Sequence, residues 1–204
     1  MLYCPTLPAH VRPIRTFRTF TTATEGAATV EFALVSLPFL ALVGAIIQIA
    51  FVIWAGQNFD RTVQNAVRGL FTGQFQIANS GTTSAAVLLQ KLNDAMCGTG
   101  ANRAFTLFDC SSVKIDVSLA SSFAAGSSAT PMNATTRTWN NGFGTSYACA
   151  KPGSIVVVTA AVKVPVFFSL LDLAQMSFAD GTHLLQSTAV FRTEPYQTTA
   201  STGC

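Results

Sequence analysis

The stretch Gly26-Ala27-Ala28-Thr29-Val30-Glu31-Phe32-Ala33-Leu34-Val35-Ser36-Leu37-Pro38 opens a run that meets no further charge until Asp60. Its core, Leu34 to Trp54, is built from Leu, Ile, Val, Phe and Ala, interrupted by Ser36, Pro38, Gly44 and Gln48. A helix crosses the hydrocarbon of a bilayer with about 20 such residues, so this run predicts one membrane-spanning helix over roughly Phe32 to Ala55. A cleaved secretory signal has an apolar region of only about 7–15 residues. The small Ala55 and Gly56 still leave that reading open.

Charge sets the expected orientation. Arg12, Arg15 and Arg18 precede the helix with Glu25 as the only acid among them, whereas Asp60 and Arg61 nearly cancel after it. Basic residues flanking a membrane helix stay cytoplasmic, which predicts a cytoplasmic N-terminus and a periplasmic or extracellular remainder. Charged residues make up 10% of the 204, against about 25% in an average soluble protein. The other nine basic and eight acidic residues are scattered and form no phosphate-binding surface. No nucleic-acid partner is expected.

Glu31 is the residue least suited to its position. An acidic side chain in the middle of a membrane helix costs about 2.5–3.5 kcal/mol on insertion scales. At a helix N-terminus the same carboxylate complements the macrodipole instead. Thr22-Ala23-Thr24-Glu25 fits a capping box, however, and a helix starting there leaves Glu31 inside it with no capping task. Pro38 removes one backbone hydrogen bond within the span. It acts either as a simple kink or as a point where the helix loosens on repacking.

A short basic leader, Gly26, four mostly small residues, Glu31 and a long apolar helix together resemble the processing signal of type IV prepilins. The Val30-Glu31-Phe32-Ala33-Leu34 run with Pro38 nearby resembles, more narrowly, the TadE-like minor pilins of the tight-adherence (Tad) pilus machinery. Asn65-Ala66-Val67-Arg68-Gly69 with Thr72-Gly73, then Cys149-Ala150-Lys151-Pro152-Gly153, and Phe191-Arg192-Thr193-Glu194-Pro195-Tyr196 are similar to later landmarks of that family. The Gly/Ser/Thr/Asn-rich region Ser118–Tyr147 matches no family pattern.

The resemblance implies that a membrane-embedded prepilin peptidase cuts between Gly26 and Ala27. Gly26 offers that enzyme an unobstructed, flexible backbone. Ala27 then carries a new α-amine, cationic at neutral pH with a pKa of about 7.7–8.0. Glu31, fifth in the processed chain, would pair with the Ala27 amine of a neighbouring subunit, since buried charges are tolerated when paired. The implied partners are the membrane, the peptidase, other Tad pilins and the inner-membrane assembly platform. The implied roles are pilus biogenesis, adherence and biofilm formation. Major Tad pilins are very short after processing, so the large domain here points to a minor subunit.

Beyond the span, Val63, Ala66, Val67 and Leu70 keep helical spacing, so the helix is expected to continue from Gln57 to Gln76. A second helix is expected over Thr83–Met96. Val113, Ile115, Val117 and Leu119 alternate with Lys114, Asp116 and Ser118, as in a half-buried strand. Ile155–Val164 reads as a central strand and Leu184–Thr193 as a third. Phe167–Met176 is amphipathic and either caps the sheet, the preferred reading, or rests on the membrane surface. The expected fold is α+β: a long N-terminal transmembrane helix followed by a small antiparallel sheet packed with helices, pilin-like. The expected partition is a leader over 1–26, the N-terminal helix over 27–76 and the α+β domain over 77–204.

Of five cysteines, Cys4 precedes the span, while Cys97, Cys110, Cys149 and Cys204 follow it. An even set on one side of a membrane reads as two disulfides in an oxidising compartment, with free buried thiols as the alternative. Three connectivities are open. Cys97–Cys110 closes the shortest loop and is the first choice, with Cys149–Cys204 as its complement.

No enzymatic chemistry is legible. The chain has two histidines, His10 and His183, and lacks both a Gly-x-Ser-x-Gly elbow and a His-Glu-x-x-His helix. No Cys-x-x-Cys pair suggests zinc. Gly142-Phe143-Gly144 falls short of a phosphate-binding loop, and Asn133-Ala134-Thr135 is a sequon of low specificity. The expectation is no catalysis, no cofactor, no metal and no small-molecule substrate. Two readings remain: a processed minor pilin, or an unprocessed membrane-anchored ectodomain that serves as a scaffold or binding protein.

Overall fold

The computed structural model describes residues 26–167 and 177–196. The chain divides at Gly44–Ala45 into two units, and one helix, α1 (Ala27–Phe71), passes through the boundary. Two shorter helices follow, α2 (Gln74–Ala78) and α3 (Ala85–Cys97). The strands are β1 (Lys114–Ala120), β2 (Met132–Asn133), β3 (Thr138–Trp139), β4 (Ile155–Val164) and β5 (His183–Arg192). The expected α+β architecture is the observed one.

In the first unit α1 is bare. The most apolar 18-residue window of α1, which extends past the unit boundary, has a mean hydropathy of 2.4 and is only 6% buried, unlike the covered core helix of a soluble domain. Phe32, Leu34, Val35, Leu37, Phe39 and Leu40 are all more than half exposed. Backbone bonds inside a helix satisfy themselves without solvent, so such a segment suits lipid.

In the second unit the same helix becomes one-sided. Ala55, Phe59, Val63, Ala66, Val67 and Leu70 recur every three or four residues and are buried. They pack on one face of a three-stranded antiparallel sheet of order β1-β4-β5. That face carries Ile115 and Val117 from β1, Val156, Val158, Ala160 and Val162 from β4, and Leu185, Ala189 and Phe191 from β5. The edge-to-face pair Phe59–Phe108, with centroids 5.0 Å apart, closes this core beside α3.

The apolar run of β4 is explained by burial on both faces. Its second face is covered from the Ser118–Tyr147 region, where β2 and β3 form a small antiparallel pair. Trp139 stacks on Phe143 and meets Phe178 at 4.8 Å, and these enclose Ala161 and Leu184. Lys163 lies 4.1 Å from the centroid of the Phe178 ring and pairs with Asp180.

Two expectations need correction. The N-terminal helix does not run to Gln76: it stops at Phe71, because Gly73 adopts φ 77°, a left-handed conformation that ends a helix. The alternation along β1 is not kept, since Asp116 is buried and Leu119 is 46% exposed. Asp116 tolerates burial because its Oδ1 accepts the backbone N–H groups of Gly144 and Ser146 at 3.1 and 3.0 Å. Ser118–Tyr147, for which the sequence offered no reading, contributes Ala129, Met132, Trp139 and Phe143 to the small second core. The second helix, expected over Thr83–Met96, forms as α3 with its bounds moved by one or two residues. Most of the amphipathic stretch Phe167–Met176 and the capping box Thr22–Glu25 lie outside the described residues.

Candidate processing junction and assembly helix

Helix α1 starts at Ala27, directly after Gly26. Gly26 is exposed, a Cβ built on it would meet nothing within 4 Å, and its backbone is not in the left-handed region. Among the described residues nothing demands glycine there. Glu31 is exposed on α1 outside the first turn, and among the described residues nothing hydrogen-bonds or pairs with it. It stands between Val30 and Phe32, themselves 60% and 74% exposed. Pro38 lies within α1, which continues through it, and the nearby Ser36 hydroxyl donates to the Ala33 carbonyl at 3.2 Å.

Gln48 differs from the other positions of the apolar run. It is 4% exposed, and its Oε1 accepts the backbone N–H of Phe167 at 2.8 Å, while its Nε2 has no partner. This role is not readable locally, because the acceptor and donor are 119 residues apart. The only hint was a lone amide among apolar neighbours.

The later landmarks, far apart in sequence, meet around the C-terminal end of α1. A helix leaves its last carbonyls without internal donors. Here the Leu70 carbonyl accepts from Gly73 N and Gln76 Nε2, and the Phe71 carbonyl accepts from Glu194 N at 2.9 Å. The Tyr196 ring covers Gly73 so closely that a Cβ there would lie 2.3 Å from it. The Tyr196 hydroxyl donates to the Ala150 carbonyl, and the Thr193 hydroxyl to the Lys151 carbonyl. Arg192 Nε donates to the Gly153 carbonyl at 3.0 Å. Burial pushes the Tyr196 phenol up, and it pushes the neighbouring Tyr147 phenol higher still.

Cys97 and Cys110 form a disulfide, the pairing first chosen from loop length. It ties the end of α3 to the segment leading into β1. Cys149 is disulfide-bonded as well, and Cys204, its expected partner, lies outside the described residues.

The described residues thus combine an exposed apolar helix, one acid near its start with no partner among the described residues, and a small α+β domain that follows. Residues 26–68 match the model of the TadE-like protein family. The resemblance read from Gly26 to Pro38 is thus supported by the family model across the junction, the apolar helix and the first domain-facing turns. The match covers the first part of the chain only, residues 26–68 of 204. No curated protein and no solved structure matches the chain.

Proposed function

We propose that the chain is a minor pilin or assembly subunit of a Tad-type pilus, held in the bacterial inner membrane by α1 until a prepilin peptidase cuts it between Gly26 and Ala27. The observation that carries this reading is the junction itself. Among the described residues nothing requires glycine at position 26, which suits recognition by another molecule, and the segment matches a TadE-like family. An enzyme that closes around extended backbone favours a residue without a side chain.

Once cut, Ala27 supplies a cation one helical turn ahead of Glu31. Both would lie in an apolar setting, where a lone charge is costly and a pair is tolerated. Pairing of Glu31 with the Ala27 amine of the next subunit would satisfy both and set the axial register between stacked helices. Orientation follows Arg12, Arg15 and Arg18, with the α+β domain on the periplasmic side, where the disulfides are stable. Adherence and biofilm formation would follow from its place in the fibre.

The test is N-terminal sequencing of membrane-extracted protein, expressed with and without a prepilin peptidase. A start at Ala27 only when the peptidase is present is the expected result, and Gly26→Val should abolish it. An intact leader under both conditions would favour an unprocessed, membrane-anchored scaffold. Glu31→Ala should still be cleaved yet fail to enter fibres; normal incorporation would refute the pairing.

A further inference from the structure

Strand β4 ends at Val164, and the chain then passes through Pro165 and Val166 to Phe167, which returns to α1. There the Phe167 N–H bonds Gln48 Oε1 at 2.8 Å, and its ring meets Phe51 edge-on at 5.8 Å. Even so, Phe167 is 67% exposed, and Ile47, one residue from Gln48, is 63% exposed. The exposed surface of the apolar helix therefore continues onto this connection.

The height of the contact along α1 decides what covers it. Gln48 lies seven residues before Ala55, the expected outer end of the span, which is about 10 Å along a helix. Non-helical backbone at that depth in a bilayer has no water to bond, and is tolerated only where protein satisfies it. Gln48 supplies such an acceptor: it is the one amide side chain between Glu31 and Gln57. Pro165 removes a second donor altogether.

Nearer the expected end of the span the pattern repeats with a wetter partner. Asn58 accepts Leu107 N–H at 3.1 Å and donates to the Phe105 carbonyl, leaving the Phe105 ring 76% exposed. Trp54, one turn before Asn58 on α1, is 58% exposed. Aromatic rings at this level suit the boundary between acyl chains and headgroups.

We propose that the β4–β5 connection at Pro165–Phe167 is a second membrane contact, with Phe167 and Phe51 packed among acyl chains of the leaflet nearest the domain. This rests on the reading of α1 as a membrane span. The domain is then seated partly in the bilayer before the subunit leaves it, and extraction into a fibre must withdraw this contact as well as α1.

The test uses the full chain in lipid vesicles. With Trp54→Phe and Trp139→Phe as background, Phe167→Trp gives one reporter, and the exposed Pro165→Trp gives a second should the first misfold. Lipids brominated on their acyl chains should quench the emission, and aqueous iodide should not. Quenching by iodide alone would overturn the proposal, since water would then cover the loop. Insensitivity to both would also overturn it, because a second copy or another protein surface would be the cover. Leu40→Trp in the same background separates this from the underlying reading: if bromolipid fails to quench Leu40→Trp, the span itself is wrong.

Discussion

The two halves of α1 are one continuous helix under opposite demands. Before Gly44 nearly all its apolar side chains are exposed, with little among the described residues covering them. From Ala55 onward the apolar positions contract to a stripe, and Asp60, Arg61, Gln64 and Arg68 occupy the solvent side. The halves differ in hydropathy and in its angular distribution, apolar all round in the first and confined to one stripe in the second. The first half has almost no covering partner among the described residues, while the second has its partner in β1, β4 and β5.

The sharpest way to break this contrast is to remove the same side chain from each half. Phe59→Ala should lower the unfolding free energy of the domain by about 3–5 kcal/mol, the usual cost of a buried Phe truncation. Phe39→Ala should leave it unchanged within error. Denaturant unfolding in detergent, followed by near-UV circular dichroism, reads both; equal effects would mean that the halves are not energetically separate.

A smaller effect is expected where α1 ends. Gly73→Ala forces a side chain into a left-handed backbone and displaces the Tyr196 ring, a loss of about 2 kcal/mol or more. Tyr196→Ala in the same protein should remove the steric part and leave the backbone part. A stability equal to wild type for Gly73→Ala would show that Tyr196 does not seal the helix end.

The smallest concerns charge, which the bare half nearly lacks. Hydrogen bonds from Lys163, then Thr182, hold the Asp180 carboxyl down at about 2, below its ordinary 3.8. A depressed carboxylate stabilises the fold above the ordinary value and loses that contribution as pH falls through about 2. Asp180 is half exposed, so the contribution is under about 1 kcal/mol. Asp180→Asn should flatten the acid limb of domain stability by that amount. Trp139 fluorescence in a Trp54→Phe background would follow it, since Lys163 lies 5.9 Å from the Trp139 ring centroid.

Legibility in the sequence followed the range of the interactions. The apolar run, the Gly26–Glu31 junction and β4 are written in consecutive residues, and each could be read directly. Cys97–Cys110 was the shortest loop available and needed no fold to be chosen. Asp116, by contrast, looked like the solvent side of an alternating strand, because its donors come from Gly144 and Ser146, outside any local window. The Ser118–Tyr147 region matched no family pattern, and its Trp139 and Phe143 are sparse among small polar residues. They become a layer only when Phe178 arrives from beyond β4. Gln48 could be named but not explained, for the same reason.

The Asp60–Ser187 hydrogen bond spans 127 residues, and the Glu194 bond to the end of α1 closes a comparable distance. Contacts of such separation form late, since the intervening loop must be ordered first. If the chain crosses a membrane as proposed, the domain-facing stripe of α1 emerges first and waits for β5 and Tyr196, so the domain closes only once Tyr196 has followed.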